Sequence, residues 1–165
     1  MNNSNAKNLS PIWGNRQPFY AAHWVTSSRF GQLVLVETVG NEHEKITELI
    51  TQWSLRGSFY LLAGGEWLPD RDVMYWSLRR YTVQVEEALD NPILMRPFTC
   101  FQFLDLLASA DWGKKPVLLL DFLHLFYNPD IHVPVRQHVL EQCCRHVQFL
   151  SFSHSIGITV PHRAT

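Results

Sequence analysis

Four consecutive apolar residues, Val117-Leu-Leu-Leu120, run into a single acid, Asp121, behind the turn signal Gly113-Lys-Lys-Pro116. A run this short, apolar at every position and bounded at both ends, predicts a strand buried on both faces, as in a parallel sheet. Parallel neighbours need crossover connections, so this one stretch pulls the whole chain towards an α/β arrangement. An Asp at the carboxyl end of such a strand sits where open α/β sheets place their ligand sites. The purely structural alternative is a helix cap or a satisfied loop acid.

The rest of the chain supplies the partners that such a strand needs. Residues 1–12 are polar, and from Trp13 to Phe30 aromatics are interleaved with polar residues without a clean period. Residues 1–30 are therefore expected to be a tail and an aromatic arm, ahead of a single core domain over residues 31–165. Gly31 to Glu37 reads as a strand. Asn41 with Glu44 has capping-box spacing for a helix with Ile46, Leu49, Ile50 and Trp53 on one face, stopped by Gly57. Ser58–Ala63 is a second strand, closed by Gly64-Gly65. A helix follows Pro69, with Asp70 or Asp72 near its start and Met74, Leu78, Tyr81 and Val85 along one stripe, and Asn91-Pro92 ends it. Ile93–Met95 is a third strand. Thr99 with Gln102 repeats the capping pattern before an apolar face of Cys100, Phe103, Leu104, Leu107 and Ala108. After the strand ending at Asp121, Pro134 opens a helix with Val135, Val139, Cys143, Val147 and Leu150 on its face. Ile156–Val160 is the last strand, stopped by Pro161. This alternation predicts a mainly parallel five-stranded sheet with helices on both faces, a three-layer αβα domain.

Composition narrows the function classes. Of 165 residues, 46% are hydrophobic and 18% charged, the balance of a folded globular chain. No apolar run approaches the roughly 18 residues that a membrane span needs, so a soluble, cytoplasmic protein is expected. With 14 Lys+Arg against 15 Asp+Glu, the chain lacks the basic excess of a stand-alone nucleic-acid binder. Cys100, Cys143 and Cys144 form no disulfide framework and are expected to be reduced.

In order and length of elements, residues 31–163 resemble the ATPase core of the RecA recombinase family. Gly31 to Val36 looks like the strand that enters that family's phosphate loop. Leu61-Leu-Ala-Gly-Gly-Glu-Trp-Leu-Pro-Asp-Arg71 resembles its next strand and loop, where a pattern close to Ile-Asp-Thr-Glu-Gly-x-Phe-x-Pro-Glu-Arg is usual. Met95-Arg-Pro-Phe-Thr-Cys-Phe-Gln102 resembles its Arg-Ala-Phe segment before the following helix, Val117–Asp121 its Walker B strand, and Ile156–Arg163 the strand ending in a sensor residue. The resemblance implies a RecA-like fold of the P-loop NTPase superfamily. Any nucleotide contact would then fall to Lys45, Thr47 and Asp121, the last through Mg²⁺.

The departures from the family pattern define the expected function. A Walker A loop needs glycines whose N–H groups wrap phosphate, a Lys for the β/γ oxygens and a hydroxyl for Mg²⁺. Here Val39-Gly-Asn-Glu-His-Glu-Lys-Ile46 occupies that place. Lys45 is kept, but Val39 and Glu44 stand at the glycine positions and Ile46 at the hydroxyl position, with Thr47 one place late. Glu42 and Glu44 set carboxylates against polyphosphate, a repulsion of about 4 kcal/mol per pair at 4 Å and an effective dielectric near 20. Gly64 falls where the family carries its water-activating Glu, with Glu66 two places along. The residues therefore favour Lys45 as a solvated helix lysine.

Other constellations point to structure rather than chemistry. His124, His132, His138, His146 and His154 lack the spaced pairs of a zinc site, and Cys143 falls on a core face. Arg79-Arg80 with Arg71 reads as a solvated face. The expectation is a non-enzymatic, cofactor-free and metal-free RecA-like protein that works through protein–protein contacts in DNA recombination or repair. Its partner would be another RecA-like or repair protein, or a second copy, with nucleic acid bound only weakly or through a partner. Residues 122–134 occupy the place of the family's first DNA loop but carry no Lys or Arg. Phe19 and Ala22 match the Phe-x-x-Ala association motif that RecA relatives carry ahead of the core, and so are the expected partner-binding residues. Two alternatives are an active ATPase using Lys45 and Asp121 and a small-ligand binder on an α/β sheet.

Overall fold

The expected alternation is present in the computed structural model, which describes residues 32–38, 42–65 and 67–161. The strands are β1 (Leu33–Thr38), β2 (Phe59–Ala63), β3 (Pro92–Met95), β4 (Val117–Leu120) and β5 (Ile156–Pro161). The helices are α1 (Glu42–Ser54), α2 (Arg71–Leu78), α3 (Val85–Leu89), α4 (Cys100–Ser109) and α5 (Val133–Ser151), with a 3-10 helix at Phe122–Phe126. The arm with Phe19 and Ala22, the boundary between residues 30 and 31, residues 39–41, Glu66 and residues 162–165 lie outside the described residues.

All five strands are parallel, in the order β1-β5-β4-β2-β3, so β4 is central. Connections run from β1 outward to β2 and β3, then turn back to β4 and β5. Right-handed crossovers in opposite directions put their helices on opposite faces. Two separate apolar clusters record this division. Leu49, Ile50 and Trp53 of α1, Met74 and Leu78 of α2 and Val85 of α3 pack on Phe59, Leu61, Leu118 and Leu120. Cys100, Phe103 and Leu107 of α4 and Val139, Cys143, Val147 and Leu150 of α5 pack on Leu62, Val117, Leu119, Ile156 and Ile158. Alternate residues of β4 feed the two clusters, and all four are buried, as its unbroken apolar run required. Each such aliphatic contributes about 1.5–3 kcal/mol relative to exposure.

Local chemistry sets the helix boundaries. Asp70 caps α2 by accepting from the Val73 N–H at 2.8 Å. Thr99 caps α4 by accepting from Gln102 N at 3.1 Å, while the Gln102 carboxamide reaches back one residue further, to Phe98 N at 2.8 Å. Gly57, at φ 126°, ends the turn after α1 in a conformation that favours glycine.

Three details depart from the sequence pattern. The single stripe from Met74 to Val85 is broken into α2 and α3. The chain turns at Tyr81 and Thr82, whose N–H groups both meet the Leu78 carbonyl, and the Thr82 hydroxyl accepts from Gln84 N. Tyr81 is consequently exposed rather than core. Val135 is also exposed: α5, 19 residues long and so about 28 Å, overruns the sheet at its first turn. Ala108 faces solvent near the end of α4.

Candidate functional site

In a doubly wound sheet a ligand crevice opens where neighbouring strands send their connections to opposite faces, at the carboxyl ends. Here that point lies between β2, which leads to α2 on one face, and β4, which leads to α5 on the other. Ala63 pairs with Leu120 as the last step of the register. The next residues, Gly64 and Asp121, thus meet at the crevice mouth, and the expectation of Asp121 at the carboxyl edge of a central strand holds.

At this mouth the turns after β2 and β4 touch. Gly64 N–H donates to the Leu120 carbonyl at 2.8 Å, extending the ladder past the strand end. A Cβ on Gly64 would lie 2.7 Å from Phe122 Cα and 2.9 Å from the Asp121 carbonyl oxygen. A Cβ on Gly65 would lie 2.6 Å from Asp121 Oδ2. At Gly64, therefore, main chain packs directly on main chain, while Gly65 lies against the Asp121 side chain. No side chain, least of all a catalytic carboxylate, fits at position 64 without backbone movement.

Asp121 itself adopts φ 44° and ψ 39°, and among the described residues it alone has positive φ without being glycine. Its N–H donates to the buried Thr159 hydroxyl at 3.0 Å, tying β4 to β5 at this edge. It opens the 3-10 helix without a side-chain cap. That helix turns inward: Phe122, Leu125 and Phe126 are buried, and the Phe122 ring stacks on Phe103 at 5.4 Å. The first half of the stretch expected to be a loop, residues 122–134, is thus folded into the core. Arg136, beyond it, donates to the Phe126 carbonyl at 3.0 Å.

The first turn of α1, where a phosphate would seat, carries Glu42 and Glu44. These acids already complement the positive end of the helix dipole. His43 of the same turn stacks on Trp67 from the segment after β2, with ring centroids 4.0 Å apart and planes 7° from parallel. Lys45 is half-buried. Thr47 is buried a full turn inside α1, where its hydroxyl donates to the His43 carbonyl at 2.7 Å. Glu48 is engaged by Gln52 and by the Tyr81 hydroxyl, at 2.7 and 2.9 Å.

Among the described residues, no three His, Cys, Asp or Glu side chains are placed to hold a metal ion. His154 is a buried staple instead, its Nε2 lying 2.9 Å from the Gly113 carbonyl. Cys143 is buried, and burial pushes its thiol up to about 12, with Cys144 and Cys100 adding to the rise. Burial also raises Cys100. Neither thiol has nucleophilic character at neutral pH. No helix among the described residues is long and apolar enough to cross a membrane.

The sequence identified Asp121 and the Gly64-Gly65 punctuation but not their contact, the Thr159 tie or the His43–Trp67 stack. A glycine pair directly after a parallel strand, one of the signals of close backbone approach, was the available clue. The chain matches no protein-family model and no curated protein.

Proposed function

We infer that this is a non-catalytic, RecA-like protein that acts by contacting other proteins, in the manner of a recombinase paralogue in DNA recombination or repair. One observation carries the non-catalytic part: the Gly64–Gly65 main chain rests on Asp121 at the switch point, within 3 Å of any Cβ placed there. The paired acids of the first α1 turn and the inward hydroxyl of Thr47 support it. The RecA-like assignment and its pathway rest on the resemblance in element order and local motifs. So does the role of Phe19 and Ala22 as the association motif.

That role has a direct test. Phe19→Glu abolishes self-association or capture of a RecA-like partner, read by light scattering of the full chain with and without that partner, and leaves the melting temperature within about a degree. A variant that melts several degrees lower while associating normally places Phe19 in its own core and removes the motif from the proposal.

A further inference from the structure

The outer face of α2 sets an exposed tryptophan beside two exposed arginines. At 100° per residue, Met74, Ser77 and Leu78 point to the core, leaving Asp72, Val73, Trp76, Arg79 and Arg80 on one outward face. Trp76 is 66% exposed, and Val83, just past the helix, is 88% exposed. A large aromatic held this far into water has no folding role; among the described residues its ring meets the neighbouring Tyr75, edge-on at 5.5 Å.

The arginines of this region divide into two kinds. Arg71 is committed, 2.8 Å from Glu86 and 3.6 Å from Asp90. Arg79 and Arg80 are exposed, and among the described residues neither makes an ion pair. Glu48, on the adjoining helix, is already engaged by Tyr81 and Gln52. An exposed tryptophan flanked by arginines that make no ion pair among the described residues has the composition of an interface hot spot.

We propose that this face docks a segment of another protein that sets carboxylates beside large apolar side chains. The carboxylates meet Arg79 and Arg80, and the apolar side chains cover Trp76, Val73 and Val83. Asp72, at the opposite end of the face, repels an acid placed there and so fixes the direction of the segment. Two arginines on a chain of net charge −1 are too few for a nucleic-acid track. The proposal rests on the protein-contact reading above and names the chemistry of its partner.

The test uses a fluorescein-labelled synthetic helix of Glu and Leu, titrated into the full chain by anisotropy. Companion peptides carry Gln for Glu or Ala for Leu, and labelled oligo-dT is the nucleic-acid probe. Saturable binding of the Glu/Leu helix is expected, weaker for both companions and weakening as salt rises. Trp76→Ala and the double variant Arg79→Glu, Arg80→Glu each weaken it about tenfold or more. Both variants keep their melting temperature, because the side chains are exposed. Failure of the Glu/Leu helix to bind, or binding indifferent to Trp76, overturns the proposal. So does oligo-dT binding lost in the same variants, or a Trp76-dependent dimer in light scattering. Turnover of Mg-ATP in the same preparation would overturn the non-catalytic reading, and the peptide result separates that failure from this one.

Discussion

The carboxyl edge of the sheet and the outer face of α2 are opposites. At the edge, where the fold offers a crevice, backbone packs on backbone, and Gly64 leaves no room for even a methyl group. On α2, where the fold asks for nothing, a tryptophan and two arginines without ion pairs among the described residues stand in solvent. An α/β sheet supplies a ligand site through its topology alone, but the site is usable only if the turns beyond the strands stay clear. Here the turns beyond β2 and β4 meet at Gly64, while Trp76, Arg79 and Arg80 stand exposed on a helix surface.

The sharpest way to break this comparison is to put a methyl group on each side of it. Gly64→Ala forces a Cβ onto Phe122 Cα and the Asp121 carbonyl, so urea unfolding should show a loss of about 2–3 kcal/mol, as for overpacked cores. Gly65→Ala meets the Asp121 side chain rather than main chain and costs less, about 1–2 kcal/mol. Trp76→Ala on α2 stays within about 0.5 kcal/mol of the parent. A Gly64→Ala protein as stable as Trp76→Ala would mean that the edge is open.

Alkaline pH separates the two kinds of region next. Cys143 goes from an ordinary value of 9 to about 12 on folding, through burial. The folded state holds that proton more tightly than the unfolded chain. Its contribution is therefore complete below pH 9 and drains away as pH rises from 9 towards 12. Tyr81 is exposed over much of its ring, but partial desolvation of its hydroxyl and the bond to Glu48 raise it from 10 to about 12, so it acts in the same sense from pH 10 upward. The melting temperature should fall progressively above pH 9. A Cys143→Ala variant, less stable at pH 7, should lose less between pH 9 and 11; an identical slope would mean that the thiol is not buried.

The smallest effect lies within two adjacent residues of α5. Cys144 is exposed while Cys143 and Cys100 are buried. Native protein should release one equivalent in a thiol-exchange assay and three after unfolding. Two fast equivalents would show that α5 does not seat as described.

Much of this was legible in the sequence, for reasons that differ by element. Val117–Leu120 gave away a strand buried on both faces because no position in it tolerates water. Gly57, Asp70 and Thr99 announced helix ends because each has one stereochemical or hydrogen-bonding use there. What escaped was contact between segments far apart in the chain. That Gly64 would touch Asp121, or that Thr159 would accept from its N–H, depends on strand order, and the element pattern alone does not fix that order. Trp76 passed unremarked for another reason. Periodicity finds what a helix buries, and the same stripe of Met74 and Leu78 that located α2 drew attention away from its other side.

Calorimetric titration of Mg-ATP into the full chain tests the closed edge most directly. At sub-millimolar nucleotide the account predicts no saturable heat and phosphate release at background. Saturable binding that disappears in Lys45→Ala would contradict it, because nucleotide would then be reaching the first turn of α1 past Gly64, Asp121 and the His43–Trp67 stack.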